Sequence, residues 1–213
     1  MKNKFTLITL FCLVFIFSSS VFAGQSNKTY EGYIINNDGK KLEGQIQMLS
    51  PSLNEIKVKF IDSNNAKTTY KAKQVKEYAF KVGKWNKATG SHIEEWVFYT
   101  RKNVERSPVA FGPTNVLIER QVSGTINMYN HFVEQNVTTG KPFIHIIYVE
   151  KQNKELVSVT KENYKEILRE LTTDYPTIHN QIGTKGNAFK DIPEILTAYN
   201  NALSSKGIAL SIK

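Results

Sequence analysis

The hydrophobic period of the chain changes once, near residue 160, and that change restricts the fold more than any single motif. Upstream, Leu42, Gly44, Ile46 and Met48 alternate with Glu43, Gln45 and Gln47, and Ile56, Val58 and Phe60 alternate with Lys57 and Lys59. A period of two is that of strands with one face buried. Turn-forming residues break the runs at Asn37-Asp38-Gly39, Ser50-Pro51-Ser52 and Asp62-Ser63-Asn64-Asn65. Further strands are expected near residues 68–71, 75–82 and 96–100. Two hairpins follow. Residues 116–122 and 126–132 flank Ser123-Gly124-Thr125, where a three-residue loop sets Val122 opposite Ile126 and Val116 opposite Phe132. Residues 143–150 and 155–159 form the second. Its first arm carries Ile144, Ile146 and Tyr148 on one face and Phe143, Ile147 and Val149 on the other, the pattern of a central or doubly covered strand.

Downstream the period becomes helical. Tyr164, Ile167, Leu168, Leu171 and Tyr175 recur at helical spacing, and so do Ile192, Ile195, Leu196, Tyr199 and Leu203. Asp191-Ile192-Pro193-Glu194 offers an N-cap, an early proline and a capping acid to the second helix. Asp174-Tyr175-Pro176 opens a shorter middle helix that Gly183 can close. Strands first and helices last make an α+β arrangement. The expectation is a mainly antiparallel sheet region over residues 24–159, with a small C-terminal helical region over residues 160–213 packed on it.

Residues 1–23 read as an export signal. Lys2 and Lys4 precede an apolar run over residues 5–17, and Val21 and Ala23 put small residues at −3 and −1 of a cut before Gly24. The single cysteine, Cys12, lies in that run, so a mature chain of 190 residues has no disulfide and relies on its core. No other stretch reaches about 18 apolar residues, so no transmembrane helix is expected in the mature chain. These features point to export, with a periplasmic, outer-membrane-associated or extracellular location.

Six segments together carry a family resemblance. GYIINNDGKKLEGQI (residues 32–46) and YKAKQVKEYAF (70–80) are similar to the opening of uncharacterised exported proteins of the Bacteroidetes. The resemblance runs on through VLIERQVSGTINMYNHF (116–132), FIHIIYVEKQNKELVSV (143–159), YKEILRELTTDYP (164–176) and FKDIPEILTAYN (189–200). It implies an envelope location and brings no catalytic residues.

Candidate chemistry is sparse. His92, His131, His145 and His179, with Glu94 and Glu95, lack the HExxH spacing of a zinc helix, and no cysteine supports them. His145 shares an apolar face with Phe143 and Ile147 and reads as a hydrogen-bonded core imidazole. There is no GxSxG elbow, P-loop or GxGxxG. No catalytic residue, metal site or cofactor is therefore assigned. Charge says more. The chain carries a net +9, of which the signal takes two, and residues 57–87 hold nine lysines against Asp62 and Glu77. Lys71, Lys73 and Lys76 are interleaved with Tyr70, Tyr78 and Trp85. One reading makes Lys71, Lys73, Lys76 and Trp85 a face for an anionic partner such as a glycan, lipopolysaccharide or acidic protein. The other makes these lysines the solvated guard of exposed edge strands. Nucleic acid is disfavoured by export and by a patch without arginine for bidentate base reading. The function expected is a non-catalytic exported envelope binding or accessory protein. The alternative is a hydrolase acting on an envelope glycan or peptide polymer, which a convergent pocket with a His–carboxylate or carboxylate pair would favour.

Overall fold

Alternating residues become one antiparallel sheet of ten strands, and the helical periods become a small layer of helices at the C-terminal end. The computed structural model describes residues 28–86, 90–104, 115–134, 143–152 and 154–211. The expected export signal with its expected cut between Ala23 and Gly24, Lys87, and the Trp85 side chain lie outside what is described.

Strands β1 (Thr29–Asn36), β2 (Lys41–Gln47), β3 (Lys57–Ile61) and β4 (Lys67–Lys71) pair in sequence. After a 3₁₀ turn at Ala72–Gln74, β5 (Val75–Asn86) returns to the free edge of β1. A meander of β6 (Ser91–Asn103), β7 (Asn115–Val122), β8 (Ile126–Glu134), β9 (Phe143–Lys151) and β10 (Val157–Val159) then extends the sheet. The return from β4 to β5 dictates curvature. In a flat sheet these strands would stand four spacings apart, about 19 Å, while the four steps from Lys71 to Val75 reach at most about 14 Å. The first five strands must therefore curl towards a barrel. Ile34, Ile46, Val58, Phe60, Tyr78 and Phe80 fill its interior. Gly32 lies opposite Gly44 in the ladder. A Cβ on Gly32 would stand 2.3 Å from the Ala79 carbonyl oxygen, and one on Gly44 2.3 Å from that of Ile61. Paired glycines let the sheet bend where side chains would not fit.

The helices cover the same sheet face further along. Register carries one row of side chains from Tyr78 through Tyr99, Glu119 and Asn130 to Ile147. At its far end Val122, Met128, Val149 and Val159 meet Tyr164 and Leu168 of α2 (Tyr164–Leu171), Ile178 of α3 (Pro176–His179) and Ile192, Leu196 and Tyr199 of α4 (Ile192–Ser211). Both helical stripes dock as their spacing predicts. The opposite sheet face buries Val116, Ile118, Tyr129 and Tyr148, so β9 is covered on both faces. Among the described residues no helix is long and apolar enough to cross a membrane.

Four local expectations need correction. The first is the 123–125 hairpin, where Glu119 faces Asn130 and Val122 faces Met128 across a bulge, not Ile126. Ile126 is taken by α4: the buried Asn200 side chain accepts its N–H (2.9 Å) and donates to its C=O (2.8 Å). The Ser50-Pro51-Ser52 break opens a short helix, α1 (Pro51–Ile56). His145 is exposed and sets its ring edge-on to Phe132 at 4.5 Å, so it is no core imidazole. Asp191 does not cap α4; it lies in a 3₁₀ turn, Phe189–Asp191, and its carboxylate accepts the Ala188 N–H.

Candidate functional site

Three groups of side chains were candidates, and their surroundings separate them. The lysines come first. Lys71 ends the edge strand β4, Lys73 sits in the 3₁₀ turn, and Lys76 begins β5; all three are exposed. Lys71 lies opposite Lys57 in the ladder, which concentrates like charge at that end. Trp85 is not with them: nine residues further along an extended strand puts its backbone roughly 30 Å away, beside His92 of β6. The other interleaved aromatics pack inward. Tyr78 is fully buried and stacks on Tyr99 at 4.7 Å, and Tyr70 packs edge-on to Phe60. Lys81 bonds Glu31 at 3.1 Å, and Lys84 bonds Glu95. The long basic stretch of sequence thus reduces to a small lysine cluster at one end.

The second group lies where β7 and β8 part. Beyond Asn130 the strand β8 pairs only with β9, which leaves the Phe132 N–H without a ladder partner. α1 enters this split. Its Glu55 carboxylate accepts the Phe132 N–H at 2.8 Å and contacts His131 Nδ1 at 2.6 Å. Asn54 holds the turn before it through the Leu49 backbone, and its own carbonyl accepts the Tyr78 hydroxyl at 3.0 Å. Burial pushes the Glu55 carboxyl above the ordinary glutamate value, against the hydrogen bonds from His131 and Phe132. Glu119 is raised too, first by burial and further by the negative charge of Glu55. A His–carboxylate pair beside a second perturbed carboxylate is what acid–base chemistry uses. Here the acid is 2% exposed and its oxygens serve the backbone and His131, so the pair locks α1 into the sheet. Position 55 gave no signal in sequence, because Glu55 sits in a short helix with no visible period.

The third group opens outwards. On the outer face of the curled strands, Tyr33 of β1 and Trp96 of β6 stand 5.6 Å apart at 51°, and Phe98 extends the stripe 6.3 Å beyond Trp96. Trp96 is 42% exposed, the largest side chain left open among the described residues. The Tyr33 and Trp96 rings, together with Gly32 and Gly44, border a cleft of about 140 Å³. Its rim is charged and paired: Lys41 meets Glu43 at 2.7 Å, while Lys81 meets Glu31 at 3.1 Å and Glu94 at 3.8 Å. Lys41 also lies over the Tyr33 ring at 4.5 Å, and Lys81 over that of Trp96 at 5.4 Å. The Tyr33 hydroxyl donates to Glu77 at 2.9 Å, and burial with that bond pushes it up to about 12, so it stays a neutral donor. Tyr33 and Trp96 escaped the sequence reading because 63 residues separate them and only the β1–β5–β6 pairing joins them.

Among the described residues no group of three or more His, Cys, Asp or Glu side chains is placed to hold a metal ion. The cleft presents aromatic surface and paired hydrogen-bonding groups, with no nucleophile set beside a base. No known protein family, curated protein or solved structure matches the chain.

Proposed function

We propose that this chain is a non-catalytic exported envelope binding protein that meets its ligand on the outer face of the curled first five strands. The observation that carries the reading is Trp96, left open beside Tyr33 over a floor of paired glycines. Exposed aromatic side chains bordered by polar groups are enriched where proteins bind. Export rests on the signal-like residues 1–23 and on the resemblance to Bacteroidetes envelope proteins. An anionic partner held by Lys71, Lys73 and Lys76 is the second binding mode, favoured by their exposure and by Lys57 facing Lys71. Among the described residues the hydrolase alternative would use the Glu55–His131 pair, whose carboxylate is 2% exposed.

The test is retention of envelope polysaccharide and lipopolysaccharide fractions on immobilised wild type, Trp96→Ala, and a Lys71→Gln/Lys73→Gln/Lys76→Gln triple variant. Retention lost in Trp96→Ala and kept in the triple variant is expected. Loss in the triple variant alone, with steep weakening by salt, would move the site to the lysines. Release of sugar or peptide, abolished by Glu55→Gln, would replace binding by hydrolysis.

A further inference from the structure

We infer that the Tyr33–Trp96 cleft is a subsite for one neutral pyranose ring, an inference that rests on the binding-protein reading above. Three observations converge on that ligand class. The first is size: about 140 Å³ is close to the roughly 150 Å³ cavity that accepts one benzene molecule, so the cleft suits a single six-membered ring. The second is surface. Two rings inclined at 51° present flat apolar faces, which match the C–H faces of a pyranose.

The third is the rim. Lys41 with Glu43, and Lys81 with Glu31 and Glu94, set two ammoniums among three carboxylates around the opening, and each charge has its opposite beside it. An ion of either sign meets attraction and repulsion together. A neutral polyol does not, and it can use what the pairs leave over, since an ammonium has three donors and a carboxylate about four acceptor sites. The same pairs argue against a quaternary ammonium. Lys41 and Lys81 each hold an ammonium over one face of the two rings, so such a cation would meet like charge there.

One ring of about a dozen heavy atoms held this way binds with a Kd on the order of millimolar, so avidity along a polymer would supply the strength. The test is an NMR titration of the exported chain with neutral trisaccharides of glucose, galactose and N-acetylglucosamine, following the Trp96 indole N–H and the Gly32 and Gly44 amides. At least one sugar should give a saturable shift, weakened tenfold or more by Trp96→Ala, retained by Trp96→Phe, and unchanged by added salt or by the lysine triple variant. Tetramethylammonium should shift these signals less than that sugar does. No saturable shift with any neutral sugar, or a stronger response to tetramethylammonium, overturns the proposal. The two levels of the account fail separately. Lipopolysaccharide moving Trp96 while neutral sugars do not would refute the pyranose subsite and keep the binding reading. An envelope polysaccharide fraction that leaves Trp96 unmoved would refute both.

Discussion

Replacing Glu55 tests the joint that ties the β2–β3 connection to the far half of the sheet. The carboxylate is 2% exposed and holds the Phe132 N–H at 2.8 Å and His131 Nδ1 at 2.6 Å. Glu55→Ala leaves both groups unpaired in the split, at about 1–3 kcal/mol each, and breaking one partner of a buried pair typically costs about 3–5 kcal/mol. The two figures describe the same loss, so the expected destabilisation is about 3–5 kcal/mol. Glu55→Gln keeps the volume and one acceptor oxygen, and should cost about 1–2 kcal/mol. A double-mutant cycle with His131→Ala should return a coupling of about 1–3 kcal/mol. The pH dependence has a definite sign. The folded-state carboxyls of Glu55 and Glu119 are raised, so the folded chain binds more protons than the unfolded chain between the ordinary and the raised values. Their contribution to stability therefore falls as pH climbs through that window, and Glu55→Gln should flatten the fall. Asp174, lowered by its bonds from Tyr199 and Lys151 against the effect of burial, acts oppositely and loses its contribution as pH drops. Urea unfolding followed by circular dichroism across a pH series reads all of this. A Glu55→Ala variant within about 0.5 kcal/mol of wild type at neutral pH would show that α1 is not docked in the split.

Three further outcomes are expected. Leu168 and Leu196 are fully buried between the helices and the sheet, so Leu168→Ala and Leu196→Ala should each cost about 2–5 kcal/mol in denaturant melts. Asn200→Ala orphans the N–H and C=O of Ile126 and should cost about 2–4 kcal/mol, with faster amide exchange at Ile126 than in wild type. Secreted protein should begin at Gly24 by intact mass, and a retained Met1 in a membrane fraction would contradict the export signal.

Local periodicity made the strands and the helix stripes legible. Alternation placed β2 and β3, and the spacing of Tyr164, Leu168, Ile192, Leu196 and Tyr199 named the residues that pack on the sheet. Long-range partners carried what was illegible. Val122 looked matched to Ile126 until Asn200, 74 residues beyond Ile126, took the backbone groups of that residue. Glu55 is polar in a six-residue helix, and its burial depends on a split between two strands more than 60 residues away. The lysine run was counted correctly as charge, but a one-dimensional count does not see that Lys81 and Lys84 find acids on neighbouring strands. Nor does it see that β5 carries Trp85 far from Lys76. The aromatic cleft is a property of pairing: Tyr33 and Trp96 meet only because β5 leaves β4 to join β1.

Hydrogen–deuterium exchange of the chain, with and without an envelope polysaccharide fraction, tests the central claim most directly. The account predicts new protection in β1, β2 and the part of β6 around Trp96, with α1 and β8 unchanged. Protection centred on residues 51–56 and 130–134, leaving β1 and β6 as they were, would contradict it and put the working site at Glu55 and His131.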